Sequence, residues 1–118
     1  MAVIDVSFIS LRLVLAPALS LLREGGLAVT LVKPQFEVGR GRVGKGGIVR
    51  DPSLWREVLA GLVDHAAAAG HAVLDWCESP ITGADGNREF FLHLGKGGAG
   101  DRSAEIRRAV DAWRPAGA

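Results

Sequence analysis

Apolar residues along this chain fall into short blocks whose spacing changes from block to block. Ala2-Val3-Ile4 is an apolar, β-branched run ending at Asp5, which predicts a buried strand at the start of the chain. Leucines at 11, 13, 15, 19, 21 and 22 within residues 10–24 predict a helix that stops at Gly25-Gly26 and is broken or restarted at Pro17. Leu27–Val32 is apolar at nearly every position, the pattern of a strand buried on both faces in a parallel sheet. Asp51-Pro52-Ser53 opens a second helix, with Asp51 or Ser53 as cap. Its positions Trp55, Val58, Leu59, Leu62, Val63 and Ala66 keep helical spacing as far as Gly70. His71–Trp76 and Glu89–Leu94 read as two more strands. The run Asp85-Gly86-Asn87 between them suits a turn, so this last pair is expected to be antiparallel. A glycine-rich linker at 95–100 leads to a charged helix at 101–114, with Ala104, Ile106, Ala109, Val110 and Trp113 on its apolar positions. This order of elements predicts an α/β domain with a mixed sheet. An apolar strand placed first also predicts a bare sheet edge able to pair with another copy or a companion chain.

Between those blocks, residues 34–50 keep no periodicity and read as a long loop, a length usually associated with function. Five of the 16 glycines fall within residues 39–47. Gly39-Arg40-Gly41-Arg42-Val43-Gly44 spells a dinucleotide-binding string, but it opens no helix and carries two arginines where a tight turn is expected. Gly39 through Lys45 approaches a phosphate-binding loop, yet Gly46 stands where a magnesium-holding hydroxyl is required. Charge gives a better reading: Lys33, Arg40, Arg42, Lys45 and Arg50 face only Glu37, a local excess in a chain of net charge +1. Arg40, Arg42, Lys45 and Arg50 are therefore candidate RNA-backbone contacts, the plain alternative being a solvated loop.

Composition narrows the classes further. One cysteine in 118 residues permits no internal disulfide, and one cysteine with three histidines is too few for a Cys/His zinc centre, so no metal is expected. Cys77 reads as a small buried residue. Trp55 and Trp113 read as core, and Trp76 as either core or a base-stacking platform. No apolar run reaches the ~20 residues of a membrane span, and no signal peptide opens the chain, so a cytoplasmic protein without a membrane partner is expected.

Three ionisable residues stand at strand ends: Asp5 after the first, Lys33 after the second, Glu89 at the start of the fourth. Ligands of open α/β sheets bind beyond the carboxyl ends of parallel strands, and an antiparallel strand begins at that same rim. A lysine between two carboxylates can accept or relay a proton from an alcohol such as a ribose hydroxyl. Taken singly, each residue could equally be a cap or a surface ion pair.

The strings Asp5-Val6-Ser7-Phe8-Ile9-Ser10-Leu11, Leu31-Val32-Lys33-Pro34-Gln35-Phe36-Glu37 and Val43-Gly44-Lys45-Gly46-Gly47-Ile48-Val49-Arg50-Asp51-Pro52 resemble the TlyA (hemolysin A) family. So do Ser79-Pro80-Ile81 and Gly83-Ala84-Asp85-Gly86-Asn87-Arg88-Glu89-Phe90-Phe91, in the same order. These are ribosomal RNA 2′-O-methyltransferases with an FtsJ-like catalytic domain that uses S-adenosylmethionine. The resemblance implies the C-terminal half of a Rossmann-like methyltransferase sheet, mixed, with an antiparallel final pair. It places three members of the family's Lys-Asp-Lys-Glu tetrad on Asp5, Lys33 and Glu89, and a cofactor-pocket residue on Phe8. It also implies that residues 1–118 are a partial domain, without the RNA-binding domain, the first tetrad lysine and the cofactor glycine turn, and so inactive alone. The competing expectation is a non-catalytic RNA-binding module using the basic loop. A membrane-active toxin, suggested only by the family's other name, has no amphipathic segment to support it.

Overall fold

In the computed structural model, which describes residues 1–7, 9–39, 42–44, 47–82 and 86–115, strand β1 (Ala2–Ile4) leads through helix α1 (Leu11–Ser20) to β2 (Leu27–Val32). Helix α2 (Pro52–Ala68), β3 (Ala72–Glu78), β4 (Phe90–Gly95) and helix α3 (Ser103–Ala112) follow. The sheet order is β1-β2-β4-β3. β1 and β2 run parallel, β2 and β4 antiparallel, and β3 and β4 antiparallel, so the mixed sheet and the antiparallel final pair are as expected.

All three helices contribute to one core with the strand residues Ile4, Ala28, Val32, Val73, Phe90, Leu92 and Leu94, placing them on the same face of the sheet. α2 packs against both α1 and α3. Phe90 meets Trp113 edge-on at 5.4 Å, and Trp55 lies 6.3 Å from Phe90, so Trp55 and Trp113 join the aromatic core as expected. Trp76 packs edge-on to Trp113 at 5.8 Å, which places it with the core.

Several expectations change. The stretch 10–24 is one helix that ends at Ser20 and runs through Pro17. Buried Leu11, Leu15 and Leu19 hold it to the core, which outweighs the hydrogen bond a proline cannot make. β2 is not buried on both faces: Ala28, Thr30 and Val32 are buried, whereas Leu27 is exposed and Val29 and Leu31 are half-covered. β1 is an edge strand with Val3 75% exposed, so it is not the buried strand its composition suggests. The loop after β2 begins with one 3-10 turn, Pro34–Phe36. Cys77 is exposed, contrary to expectation. The cause is a register shift between Val73 and Asp75, which keeps Val73 and Trp76 on the helix side and leaves Asp75 and Cys77 on the other. That bulge is satisfied from outside the sheet: Asp101 accepts from Val73 N–H at 2.8 Å, and Arg102 N–H donates to the Val73 carbonyl at 2.8 Å. No described helix is long and apolar enough to cross a membrane.

Candidate active site

Parallel pairing of β1 with β2 sets Ile4 opposite Thr30 and brings the ends of both strands to one rim. Asp5 and Lys33 emerge there, and the Lys33 ammonium lies 2.5 Å from Asp5 Oδ1. It also donates to Ser7 Oγ at 3.3 Å. The lysine side chain is only 14% exposed while the aspartate remains 55% exposed, so the cation is largely withdrawn from water and its partner is open to a substrate. An ammonium held this way can donate to a substrate oxygen or, after releasing a proton to the carboxylate or solvent, accept the hydroxyl proton.

β4 enters the same rim. Val32 stands opposite Phe90, so the next position of each strand in that register sets Glu89 across from Lys33. The Glu89 carbonyl is fixed by Ser79 N–H at 2.8 Å, and the residue is half-buried. Among the described residues no salt bridge joins Glu89 to Lys33, so two of the three expected residues form a pair and the third shares their rim.

Two residues outside the expected site hold this rim together. Glu37 accepts from Ser10 Oγ–H at 2.7 Å and from Leu11 N–H at 2.9 Å, thereby capping α1 from the loop that follows Lys33. The loops after β1 and β2 are thus tied twice, by Asp5–Lys33 in front and by Ser10–Glu37 behind. Burial pushes the Glu37 carboxyl above its usual value, against the lowering effect of the Ser10 and Leu11 hydrogen bonds and of Arg12. The second is Asn87, 3% exposed, whose side chain accepts from Val49 N–H and donates to the Gly47 carbonyl, both at 3.0 Å. Trp55 Nε1–H adds a bond to the Val49 carbonyl at 3.0 Å. The far end of the basic loop is therefore pinned beside the turn that leads to Glu89. Glycine is required in that loop at Gly44, where a Cβ would lie 2.5 Å from the Ile48 carbonyl oxygen that the Gly44 N–H binds. An amide side chain after a glycine turn and a glutamate after Lys-Pro-Gln-Phe were visible signals, but their partners are 26 to 40 residues away in sequence.

The expected RNA contacts divide. Arg42 is exposed but sits in a 2.5 Å ion pair with Glu57 of α2. Arg50 is exposed and makes no ion pair among the described residues. Arg40, Lys45 and the cofactor-pocket candidate Phe8 lie outside the described residues. Ser7 and Ile9, on either side of Phe8, are exposed and offer one hydroxyl and one apolar chain. Two such side chains alone do not enclose a nucleoside with an amino-acid tail.

Comparison with known proteins gives the chain a family. The chain is similar to YqxC of Bacillus subtilis, provisionally named an rRNA methyltransferase, at 51% identity over 105 residues, 89% of this chain and 37% of that protein. It is 42% identical over 94 residues to the 16S/23S rRNA (cytidine-2'-O)-methyltransferase TlyA of Mycobacterium tuberculosis, covering 80% of this chain and 35% of that one. A solved structure of a provisionally named hemolysin from Streptococcus thermophilus matches with a TM-score of 0.80 at 42% identity, over 93% of this chain and 40% of that one. The chain thus spans little more than a third of the length of these curated relatives. The FtsJ-like methyltransferase model matches residues 1–96, and this chain belongs to the FtsJ-like methyltransferase family.

Proposed function

We propose that this chain carries the acceptor-side rim of a cytoplasmic, S-adenosylmethionine-dependent methyltransferase acting on a ribose 2′-hydroxyl of ribosomal RNA, and that it is inactive alone. The fold is then the C-terminal half of a Rossmann-like sheet. The observation that carries this reading is the Lys33–Asp5 pair at the carboxyl ends of adjacent parallel strands, with Glu89 on the same rim. S-adenosylmethionine, when bound, supplies the electrophilic methyl group. Lys33 holds or takes the hydroxyl proton, Asp5 orients the ammonium, and Glu89 adds negative charge at the rim. Glu37 holds the two loops in place.

The test mixes the chain with the preceding segment of a TlyA relative, ribosomal RNA and methyl-labelled cofactor. Label transfer is expected only from the mixture, and Lys33→Ala should lower it by at least about a hundredfold, the scale of general acid–base contributions. Turnover by the isolated chain would overturn the inactivity, and a mixture whose transfer ignores Lys33→Ala would overturn the assigned role. The second reading, a non-catalytic RNA-binding module, is favoured by the exposed Arg50 on a pinned loop. Salt-dependent RNA binding without transfer in any mixture would favour it.

A further inference from the structure

Beside the rim, on the other side of the Glu89 turn, lies a hollow of about 230 Å³ between the end of the basic loop and the start of β4. Arg50 and Arg88 line it from opposite segments, with Trp55, Val49 and Gly86 as its walls. Its walls are held rather than loose. The Asn87 carboxamide and the Trp55 indole N–H occupy the Val49 and Gly47 backbone groups. Asp51, the nearest carboxylate in sequence, is engaged with Ser53 N–H at 2.9 Å as the cap of α2. The cationic side chains lining the hollow are Arg50 and Arg88. Arg88 stacks over the Trp55 ring, its Cζ 5.9 Å from the ring centroid, and gives one nitrogen to Glu78, leaving further N–H donors of its five. Arg50 is exposed and unpaired among the described residues.

Two arginines lining one hollow with fixed walls suit the oxygens of a phosphate, which accepts forked N–H donors. A basic loop alone would offer only diffuse attraction. We propose that the hollow between Arg50 and Arg88 is a subsite for one backbone phosphate of the RNA strand, adjacent to the ribose presented to Lys33. This rests on the RNA-directed reading above and adds to it a residue, Arg88, and a place. Arg88 immediately precedes Glu89, so the hollow and the rim meet at the same turn of the chain.

The test is the binding of a short, labelled single-stranded RNA to the full chain by fluorescence anisotropy over a salt series, without cofactor. Arg50→Gln should weaken binding about five- to tenfold and lower the slope of log K against log salt by about 0.7, the value of one phosphate contact on a single strand. Arg88→Gln should do the same, and Arg108→Ala on the exposed face of α3 should do neither. Arg88 also touches Trp55 and Glu78, so Arg50→Gln, which breaks no ion pair, decides the matter if the Arg88 variant melts early. Inorganic phosphate replacing chloride at equal ionic strength should weaken wild-type binding more than that of Arg50→Gln, because it competes for the hollow. The same response to phosphate in both proteins overturns the assignment. No RNA binding by the wild type, or unchanged affinity and slope in Arg50→Gln, also overturns it. Since no cofactor is present, these outcomes stand apart from whether methyl transfer occurs.

Discussion

The two faces of the four-stranded sheet are made from similar residues and end in different conditions. On the helix side, Ala28, Thr30, Val32, Phe90, Leu92 and Leu94 are all fully buried. The buried Thr30 hydroxyl is satisfied by the Leu92 carbonyl at 3.1 Å. On the opposite side Val3 is 75% exposed, Leu27 is 40% exposed, and Val29, Leu31, Phe91 and His93 are half-covered. His93 keeps a buried Nε2 with no hydrogen-bond partner, a cost a protein normally avoids. Burial in a strand is thus decided less by the residue types than by which side the helices occupy. The open side has the composition of a surface that gains from being covered.

The sharpest way to test this contrast is Leu92→Ala, which empties a fully buried position on the helix side. It should cost about 2–5 kcal/mol in urea unfolding, whereas a polar change at Val3 on the open side should stay within about 0.5 kcal/mol. If both cost the same, the open side is not open in solution. Next in size is Asn87→Ala, which leaves Val49 N–H and the Gly47 carbonyl unpaired and should cost about 1–3 kcal/mol. Hydrogen exchange at the Val49 amide should accelerate with it. Unchanged exchange would mean that the loop is not held from that turn.

Smaller effects are expected from two carboxyls with opposite pH signatures. Asp101, lowered below its ordinary 3.8 first by the Ser103 hydroxyl and also by the Val73 and Ser103 N–H groups, stabilises the fold above pH 3.8 and loses that contribution as pH falls through its folded value. Asp101→Asn should therefore flatten the acid end of the stability curve. Glu37, raised above its ordinary 4.5 by burial, favours the fold below pH 4.5 and loses that contribution as pH rises through its folded value. Glu37→Gln should flatten that second window and leave the acid end alone. Chemical denaturation across pH separates the two, and a common response would show that neither group dominates its window. The least stability is at stake in Val3→Lys. If the β1 edge of this chain pairs with a second copy, light scattering should show less association of the variant than of the wild type, and a monodisperse wild-type monomer would refute that pairing.

Much of the candidate site was legible because its residues sit where strand patterns end. Asp5, Lys33 and Glu89 each terminate or precede an apolar run, so topology alone brings them to one rim. Arg42 was not legible as a paired side chain, because Glu57 lies one helix away and nothing local marks the contact. Cys77 was misplaced for a related reason: the bulge at 73–75 that turns it outward is paired with residues 101 and 102, far along the chain.

By itself, the sequence determined the alternation of strands and helices, the antiparallel last pair and the identity of the rim residues, since each depends on spacing within a segment or on chain direction. Only the tertiary structure decided that β4 inserts between β2 and β3, that all three helices share one face, and that Glu37 and Asn87 tie the loops around the rim. Those outcomes depend on contacts between segments tens of residues apart. Their energies come from closing a core and satisfying buried polar groups, and local sequence preference carries no record of either.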